Sequence, residues 1–452
     1  MNTPICDFVE KYAKEGRIRL HMPGHKGSPF LGVEQIDITE VDGADTLYME
    51  DGIIKESLEN AAALFGTKKT LYSAEGSSLC IRAMVCLLTV YAKKQGREPV
   101  ILAGRNAHKT FLSAAALCDV DVRWLYPESA DSMLSCRVSA ASLDEMLCEM
   151  NVKPIAVYIT SPDYLGVVSD VRAMANVCEK HGVLLAVDNA HGSYLRFLSE
   201  SRHPIDLGAH ICCDSAHKTL PVLTGGAYLH LSQKAPRELI DGAENAMSLF
   251  ASTSPSYLIL QSLDRANQYL AEEYRKSLSE LCERVGGLKK SLTDNGFTLV
   301  GDEETKITIK ARDYGYTGYE IADHLRQNGV ESEFSDPDFA VLMFTPQLSG
   351  ETVEKVKRIL LALKKKQIID TCPPGIPCPK IKMTVREAML SPSETVDIQN
   401  AMGRILASPS VACPPAVPII ACGEQIDAET VKCFEYYGIE KIRVVCQNPS
   451  SP

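Results

Sequence analysis

Val183-Leu-Leu-Ala-Val-Asp-Asn-Ala-His191 and Ala209-His-Ile-Cys-Cys-Asp-Ser-Ala-His-Lys218 are two short apolar runs, each ending in a polar cluster. A run of about five apolar residues bounded by polar ones predicts a buried parallel strand that delivers side chains at its carboxyl end. Open α/β sheets bind ligands along that edge. Asp188 closes the first run and Lys218 lies just beyond the second, so the reading of the whole chain turns on these two residues.

Working outward, residues 52–230 alternate helical and strand-like segments. Helices are expected over 56–65, 78–94, 107–117, 142–150 and 171–181. Strands are expected over 70–73, 100–103, 120–126, 155–160, 184–187, 211–213 and 227–231. This rhythm predicts an α/β fold, a mostly parallel seven-stranded sheet with helices on both faces. The expected organisation is an N-terminal arm (1–51), a large domain (52–255), a small α/β domain (256–368) and a C-terminal domain (369–452). In the small domain a helical tract over 256–295 precedes a βαβ-like arrangement of 298–309, 318–328 and 340–344, closed by a basic amphipathic helix over 350–366. Thr371-Cys-Pro-Pro-Gly-Ile-Pro-Cys-Pro-Lys380 reads as a linker. Beyond it a helix is expected over 393–403, with Ser393 as its N-cap, followed by a second Pro-rich turn, Cys413-Pro-Pro-Ala-Val-Pro418.

The 452-residue chain is 45% hydrophobic and 23% charged, the proportions of a soluble globular protein. Its net charge of -11 argues against non-specific binding to nucleic acid or to an anionic membrane. The N-terminus lacks a basic region followed by an apolar stretch, and no run reaches the roughly 18 apolar residues of a membrane span. Sixteen cysteines scattered through strands and helices read as small core hydrophobes in a reducing cytoplasm. Cys372 and Cys378 flank the Pro-rich turn without nearby histidines, so no metal site is expected there.

An acid at one strand end and a lysine past the next are what a pyridoxal phosphate enzyme requires. The carboxylate keeps the pyridine nitrogen protonated so that the ring accepts electrons, and the amine forms the Schiff base. Ser73-Ala-Glu-Gly-Ser-Ser78 follows a strand and opens a helix. Gly76 lets the backbone approach an anion, while Ser77, Ser78 and the helix start supply donors; alone, the same triplet also serves as an ordinary N-cap turn. Arg105-Asn-Ala-His-Lys-Thr110 brings His108 to the same sheet edge, where an imidazole either lies over an aromatic ring or caps the following helix. Ala190 is small enough to pack on a ring face. His191 either reaches the phenolic oxygen of the cofactor or plays a structural part, and Ser215 and His217 either bind phosphate or position Lys218.

In chain order, His21-Met-Pro-Gly-His-Lys-Gly27, Arg105-Asn-Ala-His-Lys-Thr110, Ser161-Pro-Asp-Tyr-Leu-Gly166, Asp188-Asn-Ala-His-Gly192, Ser215-Ala-His-Lys-Thr-Leu220 and Thr253-Ser-Pro-Ser-Tyr257 resemble a known set of motifs. The set is that of the ornithine/lysine/arginine decarboxylases, fold type I pyridoxal phosphate enzymes, in the short form without an N-terminal wing domain. The resemblance implies that Lys218 carries the cofactor, Asp188 pairs with its ring nitrogen and His108 stacks on the ring. It places Ser77, Ser78, Ser215 and His217 around the phosphate. It further implies a cytoplasmic homodimer or higher homo-oligomer, with Thr253 and Ser254 near the neighbouring subunit's site. The implied reaction is α-decarboxylation of a basic amino acid, giving CO2 and a diamine or polyamine product.

The chain departs from the family pattern at two places. Glu75 stands where the family usually has Asn, and Asn189 where it often has Glu. An aminotransferase on the same fold would clamp the retained carboxylate with a small-domain arginine, and Val341-Leu-Met-Phe-Thr-Pro346 contains none. A non-catalytic assembly or regulatory relative would not be expected to keep both Lys218 and Asp188.

Overall fold

A computed structural model describes residues 1–128, 132–371, 373–408 and 416–447. Cys372 and the Cys413-Pro-Pro part of the second Pro-rich turn lie outside the described residues. Seven strands carry the α/β part: β1 (Lys69–Ser73), β2 (Val100–Gly104), β3 (Asp121–Leu125), β4 (Ala156–Thr160), β5 (Leu184–Asp188), β6 (Ile211–Asp214) and β7 (Ala227–Leu231). Each falls within a residue or two of the apolar run that predicts it. The chain divides into two compact units, residues 1–97 with 171–279 and residues 98–170 with 280–452.

In the first unit the strand order is β1-β7-β6-β5. β5 and β6 are parallel with Asp188 opposite Cys213, whereas β7 runs antiparallel to both β6 and β1. β5, β6 and β7 are buried at every residue, which is why their sequences are continuous apolar runs rather than alternating ones. The 19-residue helix Gly76–Lys94 is apolar and long enough to cross a membrane by composition alone. Here it packs on β6, β7 and the helix Ala243–Phe250. Helix Val171–His181 buries Val171, Met174, Ala175 and Cys178, one stripe at helical spacing. The expected tract 256–295 is two helices, Tyr257–Glu272 and Tyr274–Asp294, broken at Glu273. From the first of these, buried Asp264 accepts hydrogen bonds from the backbone N–H groups of Ile5 and Cys6, both at 3.0 Å. It thereby caps helix Pro4–Lys14, whose own N-cap residue makes no side-chain cap.

In the second unit β4, β2 and β3 are parallel neighbours in that order. A four-stranded sheet follows, built from β8 (Leu299–Val300), β9 (Lys306–Lys310), β10 (Phe334–Ser335) and β11 (Phe339–Met343) in the order β10-β11-β9-β8. All its pairings are antiparallel, so the βαβ expectation is corrected. Helix Gly318–Gln327 connects β9 towards β10 without making the flanking strands parallel. A capping box between Thr317 and Glu320 starts it. Helix Gly350–Leu361 ends before the lysines 364–366 that had been included in it.

The helix expected over 393–403 is a strand, β12 (Ser393–Asp397), followed by a short 3-10 turn, Ile398–Asn400. Thr395 and Val396 are β-branched, and the decisive partner is β13 (Lys441–Val445), which pairs antiparallel with Ser393 opposite Val445. A pairing that distant leaves no local trace.

The C-terminal segment is tied to β2 and its following loop by a buried ion pair. Arg105 Nη2 lies 2.9 Å from Glu424 Oε2 and also donates to the Ile419 carbonyl at 3.1 Å. The guanidinium sits 5.0 Å from the Trp124 ring centroid, and Lys109 N donates to Ala416 O at 2.9 Å. Both charged side chains are at most 3% exposed. Glu424→Ala leaves an uncompensated guanidinium in the interior, an expected loss of about 3–5 kcal/mol. The measurement is the urea unfolding midpoint, which falls well below that of the parent protein; an unchanged midpoint contradicts the structural role of the pair.

Candidate active site

The first unit brings two turns together at the carboxyl ends of β5 and β6. Asp188, the last residue of β5, is 2% exposed. Its Oδ1 accepts from the Ala190 backbone N–H at 3.2 Å and from the Cys213 thiol at 3.6 Å. Past β6, Ser215 precedes the single-turn helix Ala216–Thr219, which carries Lys218 half-buried. Lys218 Nζ lies 3.0 Å from His191 Nε2, so the turn after β5 touches the turn after β6 through an amine–imidazole contact.

The start of helix Gly76–Lys94 completes this group. Ser215 Oγ donates to Ser77 Oγ at 2.7 Å. Gly76 has φ +69 and donates to Gly225 O at 2.6 Å, and a Cβ at this position would lie in ordinary contact with His217 Cε1, 3.9 Å away. The N-cap residue Glu75 makes no side-chain cap. Its carboxylate instead accepts from Ser252 N at 2.6 Å. An uncapped 19-residue helix start with two adjoining hydroxyls is suited to an anion such as phosphate. His217 is fixed on the Gly226 carbonyl through both its backbone N–H, at 3.1 Å, and its Nδ1, at 2.9 Å.

Directly behind these turns lies a fully buried polar network that the sequence reading did not single out. Asp214, at the end of β6, accepts from Asn189 Nδ2 at 2.7 Å and from His203 Nε2 at 3.0 Å. His230 Nε2 is 3.5 Å from the same carboxylate. Burial alone raises the pKa of Asp214, but the charge and hydrogen bonds of His203, with those of His230, override it and hold the carboxyl well below its ordinary value. Burial pushes His230 the other way, favouring its neutral form. His203 Nδ1 faces the Ile205 N–H at 3.4 Å, so Nε2 carries the proton and donates. Two histidines and an aspartate with ligating atoms this close also match the donor set of a metal site, but a protonated Nε2 makes this a hydrogen-bonded chain.

Of the residues singled out in the sequence, Gly76, Ser77, Ser78, Asp188, Ala190, His191, Ser215, His217 and Lys218 all belong to the first unit. His108 belongs to the second, where its Nδ1 accepts from Thr110 N at 3.2 Å and it is the N-cap of helix Lys109–Cys118. Thr253 and Ser254 are exposed in the loop before helix Tyr257–Glu272. Asp214 stood inside the quoted run, but nothing local couples it to a histidine eleven residues earlier and another on β7. A buried acid beside an amine and an uncapped, hydroxyl-lined helix start can hold a protonated pyridine, an aldehyde carbon and a phosphate.

Residues 3–310 match the family described as "Orn/Lys/Arg decarboxylase, major domain", and residues 375–442 match "Orn/Lys/Arg decarboxylase, C-terminal domain". The chain is 27% identical to an arginine decarboxylase of Bacillus subtilis over 95% of its own length and 92% of that protein's. Among solved structures it is similar to the constitutive lysine decarboxylase of E. coli, with TM-score 0.77, 18% identity, and coverage of 98% of this chain and 82% of that one. The lysine decarboxylase of Francisella novicida gives TM-score 0.79 at 15% identity, covering 98% and 81%. With the α/β fold of the pyridoxal phosphate fold type I and both family regions in place, the chain belongs to the Orn/Lys/Arg decarboxylase family and is an amino acid decarboxylase, a carbon–carbon lyase.

Proposed function

We propose that the protein is a pyridoxal phosphate-dependent α-decarboxylase of a basic amino acid, with arginine and lysine ahead of ornithine. The observation that carries this reading is the convergence of Lys218 on His191, 3.0 Å apart, next to buried Asp188 and the open start of helix Gly76–Lys94. The names of the similar proteins, arginine and lysine decarboxylases, support the substrate class. When bound, the cofactor supplies an electron sink for the pair released as CO2 departs.

The remaining roles fall to the chain's own side chains. Asp188 would hold a proton on the ring nitrogen, and the N–H and S–H donors on its Oδ1 fix its direction. Lys218 would carry the cofactor through its amine, which His191 holds at 3.0 Å, and Lys218 or His108 would supply the proton at Cα. Ser77, Ser78, Ser215, His217 and the Gly76 backbone bind phosphate, and Ala190 leaves room for the ring face. We assign ring stacking to His108 on the resemblance of its motif. The same resemblance supports a cytoplasmic homodimer or higher homo-oligomer in which Thr253 and Ser254 approach the neighbouring site.

Purified protein supplied with pyridoxal phosphate shows a visible absorption band that is lost in Lys218→Ala; a band of unchanged strength in that variant overturns the assignment of the lysine. In a panel of arginine, lysine and ornithine, at least one releases CO2 in stoichiometric yield with its amine product. Keto acid formation without CO2 would instead establish an aminotransferase.

A further inference from the structure

Asn189 is one of the positions at which this chain leaves the family pattern, and its polar contacts both close its own turn and join it to the end of β6. Its backbone N–H donates to Cys213 O at 2.9 Å, and its carbonyl accepts from Gly192 N at 2.8 Å, closing the turn that carries Asp188 and His191. Its side chain donates to Asp214 Oδ1 at 2.7 Å. Asp214 immediately precedes Ser215, whose carbonyl in turn receives the Lys218 N–H at 3.0 Å. One hydrogen bond therefore joins the peptide that presents His191 to the peptide that presents Lys218. The far side of Asp214 is braced by His203, and both Asn189 and Asp214 are 0% exposed.

We propose that Asn189 and Asp214, backed by His203, are positioning residues that set the His191–Lys218 contact and with it the placement of the amine. This rests on the reading of Lys218 as the cofactor-bearing lysine. Neither residue touches the amine; they act through the two turns. The pair is matched in chemistry: Asp214 is an acceptor held ionised, so position 189 must supply a donor. A glutamate at 189 would set a second carboxylate against the first with no water between them. Asn189 supplies instead an N–H donor to that carboxylate.

The test reads the lysine without the cofactor. Full-length apoprotein is labelled at its amines with trinitrobenzenesulfonate, and Lys218 is followed by peptide mass mapping in the parent, in Asn189→Ala, in Asn189→Asp and in the exchange Asn189→Asp with Asp214→Asn. Asn189→Ala removes the side-chain tether to Asp214 while keeping the backbone bond to Cys213, and Lys218 labels about five-fold faster, the scale of one lost hydrogen bond. Asn189→Asp, which opposes two carboxylates, labels faster still. The exchange restores one donor facing one acceptor and brings the rate back towards that of the parent, a rescue that a general loss of stability does not produce. The visible circular dichroism of the bound cofactor weakens and recovers in the same order. Parent-like labelling in Asn189→Ala, or an exchange variant no slower than Asn189→Asp, overturns the proposal. Absence of any visible band in the parent protein removes the cofactor reading instead, and the labelling series still decides whether the tether holds the lysine.

Discussion

A carboxylate shut away from water must be met by donors, and Asp214 is the place where this requirement shapes the molecule. It has no exposure at all, yet His203 and Asn189 donate to it at 3.0 and 2.7 Å, and His203 with His230 holds its pKa below the ordinary value. Because Asp214 ends β6 and Asn189 follows β5, meeting that requirement also brings the two strand ends into a fixed relation. The candidate site residues stand next to this junction in the chain: Asp188 one residue before Asn189, His191 two after it, and Lys218 four after Asp214. The α/β sheet supplies the edge, and the buried acid sets how its loops stand on it.

What could be seen in the sequence was whatever local pattern encodes. The buried strands β5, β6 and β7 announce themselves as unbroken apolar runs, and helix Val171–His181 by its stripe of Val171, Met174, Ala175 and Cys178. The turn residues that follow those strands were legible for the same reason, since a strand end in an open sheet is a place where polar groups gather. Less could be seen where a partner far along the chain decides. Ser393 to Asp397 reads as a helix start until β13 is laid beside it, and the small sheet reads as βαβ until the antiparallel pairing of β9 with β11 is known. His203 offered no periodic or spacing signal; its meaning lies entirely in a hydrogen bond across the interior.

The same contrast separates two kinds of buried charge. Asp214 is met by hydrogen-bond donors, the Asn189 amide and the His203 imidazole, beside the candidate site. Arg105 and Glu424 instead pair directly, 319 residues apart, with aromatic rings against the guanidinium. Desolvating both charges makes such a pair a weak source of stability, but it is directional and intolerant of any other arrangement. Its effect is to specify where the C-terminal segment sits on β2 and the loop leading to His108. That segment, matched by a family region of its own, is thereby part of the framework of the second unit.

Helix Pro4–Lys14 depends on Asp264 for its cap, across a separation of 259 residues for Ile5. During synthesis the amino end leaves the ribosome long before its acceptor has been made, and an isolated helix of this length is marginal in water. Residues 4–14 are thus among the later ones to settle, and they do so only once helix Tyr257–Glu272 exists to receive them.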